Sequence, residues 1–366
     1  MRNLANVKRI VIKIGTSTLS NTHGINTAYI KTLAHEVKKA KDTGKQIIIV
    51  TSGAIGMGAA QLNITKRIEG IKMRQACAAI GQPLLMQEYR KAFLSNKIVT
   101  AQLLLTADVL SNRKTFLNLR NAFETLLELG TVPIINENDS ISTDEINTAF
   151  GDNDRLSAFV ASKIDADLLI LLSDIDALYN KNPREHRDAV PIPYVFEITK
   201  EIEMGAGTAG TTHSSGGMKT KIEAAKIIQN AGCRMVLADG SEKNIISRIL
   251  AGEEIGTMFL PKKKLSQRTR WILNSIPRGK ILVDAGAVRA LKNKKSLLPS
   301  GIQKIEGEFD AGEVVFVNDC IKAVTSFSSS ELALLLGKHS KDIRHILGEG
   351  KKDVVSTPEN IIFLDF

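Results

Sequence analysis

The first candidate for chemistry is a lysine inside an apolar segment. Lys13 interrupts the run VIKI at residues 11–14 and is followed by Gly15. Burying a lysine is costly unless its ammonium group reaches an anion, although a lysine in an edge strand can extend its side chain to solvent. The segment favours an anion-binding lysine, with the backbone N–H group of Gly15 directed at the same anion.

Two glycine-rich segments are suited to phosphate. Residues 51–58 read TSGAIGMG, and Gly53 lets backbone N–H groups approach an anion just before a predicted helix. Such turns also occur for steric reasons alone, so this segment leaves both interpretations open. A second loop leads into a helix whose dipole and basic residues favour phosphate. Its candidate residues are Ser215, Gly216, Gly217, Met218, Lys219, Thr220 and Lys221.

Polar residues also cluster after later apolar runs. Residues 136–139 read NEND, and residues 151–154 read GDND directly before another predicted helix. Carboxylates and amides from two such loops could hold an amino group, a carboxylate or a hydrated magnesium ion. Ser173 and Asp174 end a further strand and could border a nucleotide.

The elements that must position these residues alternate between strand length and helix length. This alternation predicts an α/β fold in which a mainly parallel sheet is sandwiched by helices. Strands are predicted over residues 9–15, 46–52, 98–105, 132–136, 168–173, 235–238 and 257–260, and helices over 27–43, 71–95, 112–129, 153–164, 218–231 and 244–251. Ligands of open α/β sheets bind beyond the carboxyl ends of the strands, so the candidate residues are expected to meet there.

The pattern changes after Pro261. Residues 262–277 hold five basic and no acidic residues, which predicts a basic linker between a first domain over 1–261 and a small β-rich domain over 278–366. In this second domain, strands are predicted over 281–283, 301–305, 313–317 and 321–324, with a short helix over 285–291.

Charge and composition exclude several classes of protein. The net charge is +10, but residues 278–366 hold 13 basic and 12 acidic residues, so nucleic acid is not an expected partner. No apolar run approaches the roughly 20 residues of a membrane helix, and residues 1–8 carry no export signal. We therefore expect a cytoplasmic protein without membrane contact. The spacing of cysteines and histidines predicts no protein-bound metal, and no P-loop or protein-kinase motif occurs.

Five of these segments occur in an order that resembles the amino acid kinase superfamily, in particular its glutamate 5-kinase family. The segments are VIKIGTST, IVTSGAIG, PIINENDS, GDND and SGGMKTK. The C-terminal region, with LLPSGIQKIEGEFDAGEVVFV, resembles a PUA domain. Together these resemblances cover nearly the whole chain. They imply an enzyme that uses ATP and Mg²⁺ to phosphorylate the γ-carboxylate of L-glutamate to glutamyl 5-phosphate, the first step of proline biosynthesis.

The resemblance also assigns roles to residues. It implies that Lys13 contacts ATP phosphates, that Asp154 organises Lys13 and Lys221, and that the loop 215–221 binds ATP. It further implies ATP contacts for Ser173 and Asp174 and glutamate contacts for the polar residues Ser52, Asp139 and Asn153. A homo-oligomer and feedback inhibition by proline are further expectations from the resemblance.

The chemistry of such a reaction is consistent with the residue types. A carboxylate nucleophile is already ionised at neutral pH, so no general base is needed. Charge neutralisation by Lys13, Lys221 and magnesium would offset the repulsion between two anions. Alternatives within the class are kinases of aspartate, N-acetylglutamate or carbamate, and an alternative from another class is RNA binding through the PUA-like region.

Overall fold

An eight-stranded sheet organises the first of two units in the chain. The computed structural model describes residues 1–21, 24–66, 68–106, 109, 113–141, 153–183, 185–207 and 217–364. It divides into the units Met1–Lys264 and Leu265–Phe366. The strands of the first unit are β1 (Arg9–Ile14), β2 (Ser20–Asn21), β3 (Gly24–Ile25), β4 (Gln46–Val50), β5 (Thr100–Leu105), β6 (Val132–Glu137), β7 (Leu168–Ser173), β8 (Tyr194–Val195), β9 (Arg234–Asp239) and β10 (Thr257–Phe259).

The sheet has the order β5-β6-β4-β1-β7-β9-β10-β8, and β2 pairs with β3 in a separate hairpin. Neighbouring strands are parallel except at β9 and β10. In the central strand β1, Ile10 pairs with Leu168 of β7 and with Ile47 of β4. The strands β1, β4, β6 and β7 therefore end at the same edge of the sheet.

Helices cover both faces of this sheet. They are α1 (Thr16–Leu19), α2 (Thr27–Asp42), α3 (Ala54–Gln61), α4 (Ile71–Leu94), α5 (Arg113–Glu128), α6 (Asn153–Lys163), α7 (Lys200–Gly207), α8 (Met218–Asn230) and α9 (Ile245–Leu250). Alternate residues of the strands face opposite sides. In β1, Val11 joins a core with α5, α6 and α8, whereas Ile10 and Ile12 join a core with α2, α4 and α9.

The predicted fold class, a mainly parallel sheet sandwiched by helices with a β-rich C-terminal region, is confirmed. The predicted strand over 168–173 coincides with β7, and the predicted helix over 71–95 ends one residue beyond α4. No pattern in the sequence predicts β2, β3 or β8, because a two-residue strand is too short to show alternation.

Helices α3 and α4 approach each other through two glycines. A Cβ atom on Gly58 would lie 1.8 Å from the carbonyl oxygen of Cys77, and one on Gly81 would lie 1.8 Å from that of Ala54. Any side chain at either position would collide with backbone. The two glycines thus allow α4 to lie directly against α3, which begins just after β4.

The second unit contains a five-stranded sheet in the order β12-β11-β13-β14-β15. Its elements are the strands β11 (Lys280–Val283), β12 (Ile302–Glu306), β13 (Val314–Val317), β14 (Ile321–Val324) and β15 (Ile361–Phe363), and the helices α10 (Gln267–Asn274), α11 (Ala285–Lys292), α12 (Ser329–Leu334) and α13 (Ile343–Leu347). Helix α10 lies within the segment expected to be a linker, and its buried Trp271 and Ile272 pack against Val314 and Val324.

Candidate functional site

Two lysines from distant parts of the sequence meet at one buried carboxylate. Lys13 Nζ lies 2.6 Å from Asp154 Oδ1, and Lys221 Nζ lies 3.1 Å from Asp154 Oδ2. The exposed fractions of the three side chains are 1%, 2% and 0% for Lys13, Lys221 and Asp154, respectively. These residues, here called the lysine–aspartate triad, come from β1, α8 and α6.

The electrostatics of the triad keep its carboxylate ionised. Burial by itself raises the pKa of Asp154, but the ammonium groups of Lys13 and Lys221 lower it further than burial raises it. The net result is a pKa of about 2. Two ammonium groups and one carboxylate leave this cluster with a surplus of positive charge, which suits an arriving anion.

The first turn of α8 supports the triad. Thr220 Oγ1 donates a hydrogen bond to Asp154 Oδ2 at 2.9 Å, and Gly217 is the N-cap of the helix. Met218 is buried, whereas Lys219 is exposed. Ser215 and Gly216, which belong to the same predicted phosphate loop, lie outside the described residues.

A second group of buried side chains lies at the ends of β4 and β6. Asn153 Nδ2 donates to Ser52 Oγ at 3.0 Å, to Asn136 Oδ1 at 2.8 Å and to the carbonyl oxygen of Thr51. Asn136 Nδ2 in turn donates to Gln82 Oε1 at 2.8 Å. We call Ser52, Asn153, Asn136 and Gln82 the amide chain. It joins β4, α6, β6 and α4 by hydrogen bonds without charged side chains.

Asp139 lies just beyond β6 and is partly exposed. Burial raises its pKa to about 6, although the positive charge of Arg74 acts in the opposite direction. A carboxylate with this pKa changes its charge in the mildly acidic range. It can accept a hydrogen bond from an ammonium group at neutral pH.

The two glycines at the strand ends have different surroundings. The N–H group of Gly15, expected to face an anion, donates to the carbonyl oxygen of Leu172 at 3.0 Å. This bond continues the pairing of β1 with β7 by one residue, so the N–H group is occupied by the sheet. Gly53 is the N-cap of α3 with φ of +98°, a conformation that favours glycine.

Ser173 and Asp174 lie at the end of β7. The hydroxyl of Ser173 is buried and accepts a hydrogen bond from the N–H group of Ile175 at 3.1 Å, which shapes the turn after the strand. Asp174 is exposed beside it.

No group of three or more His, Cys, Asp or Glu side chains that could hold a metal occurs in the part of the chain that the structure describes. Within the same described ranges, no helix combines the length and the apolar character needed to cross a membrane.

Sequence reasoning missed two residues of the amide chain. Asn136 was included only in a polar cluster, and Gln82 was not singled out. The sequence AIGQ at residues 79–82 held a usable signal, since Gly81 allows the close approach of α4 to α3, which begins just after β4.

Comparisons with known proteins find family models and relatives that match this chain. The model of the Amino acid kinase family matches residues 8–239, and that of the PUA domain matches residues 279–347. The chain is 46% identical over 373 residues to a glutamate 5-kinase of Methanosarcina mazei, covering 98% of this chain and 97% of that protein. It is 44% identical over 371 residues to a glutamate 5-kinase of Carboxydothermus hydrogenoformans, covering 99% of each. Among solved structures it is similar to UMP kinase from Bacillus anthracis, with 14% identity and a TM-score of 0.47 over 71% of this chain and 98% of that one.

Proposed function

Because the chain belongs to the amino acid kinase family and carries a PUA domain, we propose that it transfers the γ-phosphate of ATP to the γ-carboxylate of L-glutamate. The product is glutamyl 5-phosphate, the first intermediate of proline biosynthesis. Relatives named glutamate 5-kinase, at 42–46% identity over nearly the whole chain, support this substrate.

The lysine–aspartate triad is the observation that carries the proposal. A carboxylate and a triphosphate repel each other, so their approach requires positive charge at the point where they meet. Lys13 and Lys221 supply two ammonium groups on one buried carboxylate. Asp154 holds them at a fixed separation, because each of its oxygens contacts one lysine.

The reaction itself needs alignment more than proton transfer. The γ-carboxylate of glutamate is ionised at neutral pH and attacks without a general base. Magnesium would be carried by ATP rather than by protein side chains, and it would neutralise part of the charge of the phosphates. Lys13 and Lys221 then stabilise the charge that spreads over the transferring phosphoryl group.

We propose that glutamate binds at the ends of β4 and β6. Ser52 and Asn153, which contact each other, fix its carboxylates, and Asp139 accepts a hydrogen bond from its α-amino group. ATP lies toward β7 and α8, where Ser173 and Asp174 border it and the segment 215–221 binds its phosphates. Gly15 lies beside Lys13, and Gly53 shapes the turn between β4 and α3.

The remaining expectations concern the setting of the enzyme. We propose that it works in the cytoplasm as a homo-oligomer, that proline inhibits it by feedback, and that nucleic acid is not a partner. The near balance of charge over residues 278–366 supports the last point.

The test follows ADP release with ATP and magnesium in the presence of glutamate, aspartate or N-acetylglutamate, each offered separately. We expect glutamate to be preferred by kcat/KM, with product trapped as a hydroxamate. An equal or higher kcat/KM for another acceptor would contradict the proposal that glutamate is the substrate.

A further inference from the structure

Helix α4 brings an unpaired hydrogen-bond donor to the glutamate end of the site. Gln82 is 7% exposed, and its Oε1 accepts from Asn136 Nδ2. Its Nε2 atom is buried and has no hydrogen-bond partner among the residues that the structure describes. Leaving a buried donor unpaired is costly, which favours a ligand that accepts from it.

The direction of the amide chain is fixed by a backbone group. The N–H group of Glu137 donates to Asn136 Oδ1 at 3.0 Å. Because a backbone N–H can only donate, this oxygen cannot exchange places with Nδ2. Asn136 therefore presents Nδ2 to Gln82, and Gln82 must present its oxygen in return. The unpaired group of Gln82 is consequently its NH₂ group.

Close packing places Gln82 at the strand ends. The neighbouring Gly81 lies against the carbonyl oxygen of Ala54, the first residue of α3 after Ser52 and Gly53. Seven residues further along α4, on the same side of the helix, the hydroxyl of Tyr89 lies 2.8 Å from Thr51 Oγ1. Helix α4 thus follows the edge of the sheet where β4 and β6 end.

A second unpaired donor lies two turns earlier on α4. Arg74 Nε is buried and has no hydrogen-bond partner in the described part of the chain. Its charge acts on Asp139, but no ion pair within 4.0 Å joins these two described side chains. Since the guanidinium of Arg74 and the carboxylate of Asp139 are not in contact, a ligand that carries one negative and one positive group can bind between them.

We propose that Gln82 Nε2 and the guanidinium of Arg74 bind the α-carboxylate of the amino-acid substrate while Asp139 binds its α-amino group. This inference rests on the proposed function, since it places the α-end of glutamate at β6. Two strand spacings, about 10 Å, separate β6 from β1, so the side-chain carboxylate extends toward Lys13. Such a site selects amino acids in which both α-groups are free.

Gln82→Glu tests the donor directly. The substituted side chain keeps an oxygen that accepts from Asn136 Nδ2, but it has a second oxygen in place of the unpaired NH₂ group. We expect the KM for glutamate to rise about 10-fold or more, with kcat and the KM for ATP changed less than about threefold. Gln87→Glu is the matched control, because Gln87 lies exposed on the same helix.

A substrate analogue separates recognition from structural support. Isoglutamine, the α-amide of glutamate, retains the γ-carboxylate but lacks the α-carboxylate charge. We expect Gln82→Glu to reduce the preference of the enzyme for glutamate over isoglutamine about 10-fold, because the new oxygen can accept from the α-amide. Equal losses for both substrates, or an unchanged KM for glutamate, would overturn the inference.

Two further measurements keep the outcome decisive. Arg74→Gln leaves the amide chain intact and is expected to raise the KM for glutamate in the same way, so it replaces Gln82→Glu if that variant fails to fold. Calorimetric titration of glutamate compares affinities without turnover. Wild-type protein that binds glutamate but does not phosphorylate it would contradict the proposed function while leaving the binding comparison valid.

Discussion

The lysine–aspartate triad and the amide chain are both buried, yet they use opposite means to remain stable. The triad brings two ammonium groups into contact with one carboxylate. Its electrostatic attraction for an anion does not depend on direction. The amide chain contains no charged side chain and depends on hydrogen bonds whose direction is fixed at Glu137. Charge is therefore suited to driving the phosphoryl transfer, and directional bonding is suited to recognising which acceptor is phosphorylated.

The difference also separates what each region contributes to kinetics. Loss of a charge that acts on the transition state lowers kcat, whereas loss of a contact made equally to substrate and transition state raises KM. Variants of the two regions are accordingly expected to fall into two kinetic classes.

The largest effect is expected from Asp154→Asn. Removing the carboxylate leaves two buried ammonium groups close together, so the free energy of unfolding should fall by about 3–5 kcal/mol. Because the pKa of Asp154 is lowered to about 2, its stabilising effect should persist above about pH 4. It should disappear only as the pH falls toward 2. Urea unfolding of the variant and the wild type between pH 2 and 7 measures both points, and an unchanged midpoint would contradict the role of the triad.

Removal of one lysine should come next. Lys13→Ala or Lys221→Ala is expected to lower kcat about 100-fold or more, equivalent to about 3 kcal/mol, with little change in the KM for glutamate. Steady-state kinetics decides this, with Lys226→Ala, an exposed lysine further along α8 and outside the segment 215–221, for comparison. A kcat close to that of the wild type would show that the substituted lysine does not act on the transferring phosphate.

Asn136→Asp would test the direction of the amide chain. Its second oxygen would face Gln82 and draw the NH₂ group of Gln82 away from the substrate. We expect the KM for glutamate to increase about 10-fold while kcat changes little. Steady-state kinetics at saturating ATP measures kcat and the KM for glutamate separately. A decrease in kcat alone would contradict the assignment of the amide chain and the triad to different kinetic classes.

The smallest effect is expected from pH. Because burial raises the pKa of Asp139 to about 6, its negative charge should be lost progressively as the pH falls through that value. The KM for glutamate should be about twofold higher at pH 6 than at its neutral plateau. Asp139→Asn should raise the KM and flatten this dependence. A variant that retains the wild-type pH profile would assign the titration to another group.

Much of the fold follows from the sequence because buried parallel strands have a distinctive composition. The β-branched and leucine-rich runs at β1, β4 and β7 lie within one or two residues of their predicted bounds. The expectation that Lys13 and Lys221 share one site follows from the rule that such strands and helices meet at one edge. Their contact through Asp154 was implied by the resemblance to the family.

Other features depend on tertiary contacts that no local pattern carries. The N–H group of Gly15 is bonded to Leu172 because the hydrogen bonding between β1 and β7 continues one residue beyond the end of β1. Gln82 escaped notice because apolar residues occur around the whole circumference of α4, so periodicity does not identify the side that faces the strand ends. The binding roles of Ser52, Asp139 and Asn153 stay predictions.

The two glycines between α3 and α4 tie substrate preference to the spacing of the main chain. Since Gly81 touches the carbonyl oxygen of Ala54 while its neighbour Gln82 ends the amide chain, a single added methyl group would wedge the helices apart and carry that amide with them. Changes in acceptor choice can thus originate at residues that never meet the acceptor. Laboratory evolution of this enzyme toward other amino acids should therefore select substitutions in α3 and α4 that shift Gln82 without contacting the acceptor.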